Sequence, residues 1–184
     1  MTTSYGTGPS IQDRFFADAP CFGCGPGNAK GLRLKSFETS DGAVRAAFRP
    51  WPEHDNGLGY LNGGVIATLL DCHSAAAVVL GSAERGLTPD GTLQYVTAAI
   101  DVRYRRPSPL REPAELVARL VSVEENEILV DAELWWQGKV RATSHSSWKR
   151  WRPRPTGDVP PGAHPVTPGR TSAGEQPDRG LAAS

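Results

Sequence analysis

Gly63-Gly64-Val65-Ile66-Ala67-Thr68-Leu69-Leu70-Asp71-Cys72-His73-Ser74-Ala75-Ala76-Ala77-Val78-Val79-Leu80 holds no proline and, after Gly64, no glycine. Wound as an α-helix it would be about 27 Å long. Its apolar residues point to nearly every side, and a helix apolar all round is buried rather than laid on a surface. The segment therefore predicts one long central helix, and the rest of the fold must be what surrounds it.

On both sides of that helix the pattern changes to alternation with a period of two, the mark of strands with one buried face. Residues 32–38 and 43–49 alternate around Leu32, Leu34 and Val44, Ala46, Phe48, with Ser40-Asp41-Gly42 as the turn. Residues 95–105 set Val96, Ala98, Ile100, Val102 and Tyr104 against Thr97, Asp101, Arg103 and Arg105. Residues 115–123, 128–136 and 139–149 continue the series, with turns at Glu124-Glu125-Asn126 and Gln137-Gly138. The expected order is β-β-α-β-β-β-β, an α+β fold in which an antiparallel sheet of about six strands wraps the central helix. A short helix over 11–19 precedes it.

The ends differ in composition. Residues 1–9 are rich in Ser, Thr and Gly and are expected to be disordered, and 152–184 is expected to be a flexible Pro/Gly-rich tail. The folded domain is then 10–151. Lys plus Arg equals Asp plus Glu at 20 each, so no net charge recruits nucleic acid or an acidic membrane surface. No charged-then-apolar leader is visible, and no uninterrupted apolar run reaches about 18 residues, which predicts a cytoplasmic protein without a membrane partner.

Three cysteines do not suggest a disulfide framework. Cys21 and Cys24 form a C-x-x-C pair, but Cys72 and His73 are helical neighbours pointing about 100° apart, which is poor ligand geometry. The expectation is two cysteines stabilising a turn and one in the core, with no metal and no cofactor.

Chemistry concentrates at the start of the helix. Asn62 is a favoured N-cap residue, and Gly63 and Gly64 leave the first turn without side chains, where backbone N–H groups have no intrahelical acceptor. Such donors hold anions or polarise a carbonyl; a well-capped helix after a tight loop accounts for the same residues. Asp71 sits among Leu69, Leu70 and Cys72, where an unpartnered carboxylate costs several kcal/mol. It is either a structural Asp bonded to Thr68, Ser74 or His73, or a carboxylate facing a cleft as general base or nucleophile. His54, His73 and His145 have no Ser or Cys partner at a spacing that suggests a catalytic triad.

The spaced pattern Asn56…Gly59-Tyr60-Leu61-Asn62-Gly63-Gly64…Asp71 resembles the motif that leads into the central helix of hotdog-fold thioesterases of the PaaI-like (phenylacetate-pathway) group. The upstream Cys21-Phe22-Gly23-Cys24-Gly25…Asn28…Gly31-Leu32-Arg33-Leu34 also resembles a lead-in frequent in that superfamily. The resemblance covers about residues 20–150. It implies hydrolysis of an acyl- or aryl-CoA thioester, with the Gly63 amide on the thioester carbonyl. Asp71 of a neighbouring subunit would be base or nucleophile, Asn56 would position water or thioester, and Thr97 would assist the attacking water. Asn62 stands where many members have His and, with Gly64, would line the substrate site. Arg103, Arg105 and Arg106 would meet the CoA phosphates, a solvated strand face being the other reading. The family also implies a homodimer or homotetramer. A hotdog protein that binds acyl thioesters or acyl carriers without hydrolysing them is the alternative; a hydratase would need a His–acid pair, and His73 lies about 200° around the helix from Asp71.

Overall fold

The computed structural model describes residues 8–87, 94–110 and 112–151; the tail expected over 152–184, and all but the last two residues of the expected N-terminal segment, lie outside the described residues. The elements are α1 (Ile11–Phe15), β1 (Ser36–Glu38), β2 (Val44–Phe48), a 3-10 turn (Pro52–His54), α2 (Gly63–Glu84), β3 (Tyr95–Tyr104), β4 (Ala114–Val123), β5 (Glu127–Trp136) and β6 (Lys139–Arg150). The six strands form one antiparallel sheet in the order β1-β2-β4-β5-β6-β3. This is the α+β architecture the alternation predicts.

Helix α2 packs on one face of the sheet, against β2, β3, β4, β5 and β6. Leu69, Leu70, Ala76, Ala77, Val78 and Val79 are buried against Val44, Ala46, Leu116, Ala118, Ile128, Val130, Ala132 and Leu134. Each large side chain so buried contributes about 1.5–3 kcal/mol. By length and mean hydropathy α2 would also qualify to cross a membrane, although Thr68, Asp71, His73 and Ser74 interrupt its apolar residues. Its burial beneath the sheet accounts for that composition. The helix continues past Leu80 because Gly81 lets it lie close to β4: a Cβ there would stand 3.2 Å from Leu120 Cδ1 and Cδ2 and 3.3 Å from Val123 Cγ2.

Two expected elements are shorter than the alternation implies. Residues 32–35 do not pair with β2, and Arg33 lies in the left-handed region (φ 53°). Instead, Leu32 N donates to Phe22 O (2.7 Å) and Leu34 N to Gly23 O (3.0 Å), so this segment ties down the C-x-x-C loop. Helix α1 stops at Phe15, with Phe16 leaving helical geometry (φ −143°, ψ 42°). The β5–β6 turn places Gln137 and Gly138 at φ 47° and 67°, the paired left-handed conformation that a tight hairpin requires.

A buried polar chain joins α1 and β1 to α2. Ser36 Oγ accepts from Gln12 Nε2 (3.2 Å) and lies 2.9 Å from His73 Nδ1, while His73 Nε2 stands 3.0 Å from Val44 O. A carbonyl only accepts, so Nε2 carries the proton and Nδ1 accepts from Ser36. Burial holds His73 at about 4, well below the usual imidazole value, with the backbone carbonyls of Val44 and Leu116 opposing. His73 thus has a serine partner, Ser36, that spacing did not reveal. Both are fully buried, so the pair is structural.

Candidate active site

The start of α2 is capped by its own preceding residue. Asn62 Oδ1 accepts from Gly64 N (2.8 Å) and Val65 N (3.4 Å), and Asn62 O accepts from Ile66 N (3.0 Å). Three first-turn donors are therefore satisfied. Among the described residues the Gly63 N–H meets no acceptor, and it lies at the positive end of a 22-residue helix. The Tyr104 hydroxyl donates to Gly63 O at 2.8 Å, fixing this peptide against the end of β3. Tyr104 was assigned only to a strand face by alternation, and its contact with Gly63, 41 residues away in sequence, carries no local signal.

Asp71 lies two turns further along, half-buried, and accepts from Thr97 Oγ1 at 2.8 Å. Of the partners spacing offered, Thr68 instead donates to Gly64 O (3.0 Å), and His73 turns to Ser36. Burial raises the Asp71 carboxyl above the ordinary range; the Thr97 hydroxyl pulls it back, and negative charge on Cys21 raises it further. A carboxylate so placed is a better proton acceptor than one in water.

The Thr97–Asp71 contact depends on a bulge that strict alternation does not show. Thr97 pairs with Trp148 and Ala99 with Ser147, so Ala98 is the extra residue. After it, Ile100, Val102 and Tyr104 pair with Ser146, Ser144 and Ala142, on the same inner face as Trp148. Thr97 therefore shares the helix-facing side with Ile100, Val102 and Tyr104, whereas alternation set it opposite them. Bulges of this kind re-aim side chains.

The remaining predicted residues lie elsewhere. Asn56 Oδ1 accepts from Leu58 N (2.9 Å) and Tyr60 N (3.3 Å), holding the exposed loop before α2. No direct contact joins Asn56 to Gly63 or Asp71 among the described residues. Arg103 donates twice to Asp101 Oδ2 (3.1 and 3.0 Å) on the sheet face opposite Thr97. Arg106 Nη1 donates to Val140 O (3.1 Å), and Arg105 is held through its backbone N on Arg141 O (2.7 Å). Arg103 and Arg105 line one cavity on that outer sheet face with Arg119 and His145.

Sequence spacing missed one cluster. The sulfurs of Cys21, Cys24 and Cys72 lie within 4.8 Å of one another, with Cys21 and Cys72 at 3.7 Å. The C-x-x-C turn folds onto α2 one residue after Asp71. Cys72 is in the core as expected, and it also meets Cys21, 51 residues away in sequence.

A family model described as Thioesterase superfamily matches residues 58–142, from the loop before α2 into β6. No curated protein matches the chain in sequence. Among solved structures, it resembles a thioesterase superfamily protein at 29% identity and a TM-score of 0.56, covering 67% of this chain and 60% of that one. The chain therefore spans about 60% of that relative's length. A thioesterase superfamily protein from Shewanella loihica PV-4 is 27% identical, with a TM-score of 0.53 over 69% of this chain and 98% of its own. The E. coli PaaI protein from the phenylacetic acid degradation operon is 19% identical, with a TM-score of 0.55 over 67% and 83%; this likeness is one of fold. With the long helix and the six-stranded order in agreement with these likenesses, the chain has the hotdog fold, and its residues 58–142 are similar to the thioesterase superfamily.

Proposed function

We propose that the protein hydrolyses an acyl- or aryl-CoA thioester to the free acid and CoA. The observation that carries this reading is the half-buried Asp71 carboxylate, raised in proton affinity and oriented by Thr97. In this mechanism Asp71 takes a proton from water as the water oxygen attacks the thioester carbonyl. Negative charge then develops on the carbonyl oxygen, where the Gly63 N–H at the start of α2 stabilises it. Collapse of the intermediate breaks the C–S bond, and the proton held by Asp71 passes to the departing thiol. Direct attack by Asp71, giving a mixed anhydride that water then opens, uses the same groups.

Gly63 and Asp71 are eight residues apart, or about 12 Å along the helix axis. One carbonyl cannot meet both within one helix, so the proposed site combines Gly63 of one chain with Asp71 of a second. Strand β3, which carries Thr97 and Tyr104, lies at a sheet edge and is largely exposed, which supports pairing with a second copy there. Arg103 at the end of β3, with Arg105 and Arg106 after it, supplies positive charge for the CoA phosphates in this reading.

The test is turnover of a panel of CoA thioesters by wild type and Asp71→Asn. Loss of a proton acceptor should lower kcat by about 10²–10⁴, with the fold retained by circular dichroism. Equal rates in the two proteins, or tight thioester binding with no thiol released by wild type, would remove the hydrolytic assignment.

A further inference from the structure

The C-x-x-C loop is built to hold three sulfurs together, and that construction is visible in its backbone. Gly25 N donates to Cys21 O at 2.9 Å, closing the turn, and Leu32 N and Leu34 N anchor the loop through Phe22 O and Gly23 O. No side chain fits at the two glycines: a Cβ on Gly23 would stand 2.2 Å from Cys72 Sγ, and one on Gly25 would stand 2.2 Å from Ala19 O. The loop is thereby pressed onto α2, with the three sulfurs within 4.8 Å of one another. The neighbouring thiols push the Cys21 thiol down and the Cys24 and Cys72 thiols up. None of the three is in a disulfide.

Thiol–thiol hydrogen bonds are weak, and a turn needs no third cysteine from a helix. A soft cation gives all three sulfurs a common partner. Zinc–thiolate bonds of about 2.3 Å in tetrahedral geometry place sulfurs about 3.8 Å apart, and Cys21 and Cys72 already stand at 3.7 Å. Cys21 is exposed, Cys24 half-buried and Cys72 buried, so an ion can enter from the surface and reach the helix.

We propose that Cys21, Cys24 and Cys72 form a three-thiolate site for a zinc-class divalent cation, leaving one tetrahedral position to water. Binding displaces the protons of the thiols that become ligands. The ion fastens the loop to α2 beside Asp71. This does not rest on the hydrolytic reading and is tested apart from it.

The full chain, reduced and freed of metal, is titrated with Co²⁺ and then with Zn²⁺. One Co²⁺ per chain is expected, with a near-ultraviolet sulfur-to-cobalt charge-transfer band and the visible bands of a tetrahedral site, both removed by Zn²⁺. Cys21→Ser and Cys24→Ser, chosen because both positions are nearer the surface than Cys72, should each weaken binding by about a hundredfold or more. Saturating Zn²⁺ should raise the Tm of wild type but not of the variants. Reduced, folded protein that shows no charge-transfer band, or a band that persists in either variant, overturns the proposal.

Discussion

Thr97 and Asp71 touch through one hydroxyl, and that bond has a sign. The Thr97 O–H stabilises the ionised carboxylate, against the burial and the Cys21 charge that favour its protonated form. Replacing the hydroxyl with a methyl group, as in Thr97→Val, leaves the shape and removes the stabilisation. The carboxylate then holds its proton to higher pH. The acid limb of the kcat/KM profile should move toward alkaline pH, with activity at low pH falling more than activity on the plateau. An unmoved limb would mean that Asp71 is not the titrating base. Asp71 itself is legible from the sequence, since a carboxylate among Leu69, Leu70 and Cys72 demands an explanation. Its partner is not, because the alternation places Thr97 on the wrong face.

At the scale of elements, α2 is read most directly from the sequence, since an apolar surface on all sides has one outcome in a protein with a sheet to cover it. Strand existence follows from alternation for the same reason. What alternation lacks is the bulge at Ala98: Val96, Thr97, Ala98 and Ala99 are all small enough to be accommodated on either face, so no side chain marks where the phase slips. The C-x-x-C loop is hidden differently, its cysteine neighbour from α2 being remote in sequence. The Gln12–Ser36–His73–Val44 chain binds four elements and makes their docking pH-dependent. His73 sits at about 4 when folded, against 6.5 for a free imidazole. Between those values the unfolded chain takes up a proton that the folded one does not, so stability is complete above about pH 6.5 and declines as pH falls toward 4. The difference amounts to roughly 3 kcal/mol. Urea midpoints measured across this range should fall more steeply with acidification in wild type than in folded His73→Gln; parallel curves would remove His73 as the cause.

For the whole molecule, the decisive question is whether one site draws on two chains. Gly63 is the first helical residue, where proline is well accommodated, and Asn62 at φ −59° and ψ 137° already has the geometry that a following proline favours. Gly63→Pro therefore deletes the N–H with little disturbance, and a Cβ there meets Tyr104 only at ordinary contact distance, 3.5 Å. It should lower kcat by about 10²–10³. Mixing inactive Gly63→Pro and Asp71→Asn chains, with subunit exchange, should restore about a quarter of wild-type activity if dimers re-form at random, since each mixed dimer regains one intact site. No recovery despite demonstrated exchange would place both groups in one chain. Strand β3 has a further consequence that concerns self-recognition rather than catalysis. Left alone, its outer edge is a row of unpaired backbone groups, a template for any extended segment and hence a route to aggregation. Charged side chains and bulges are the usual restraints on such edges, and β3 carries both, in the Asp101–Arg103 pair and the kink at Ala98. A partner strand must satisfy that charge pattern and that local twist together, which makes a second copy of β3 a better match than an arbitrary strand.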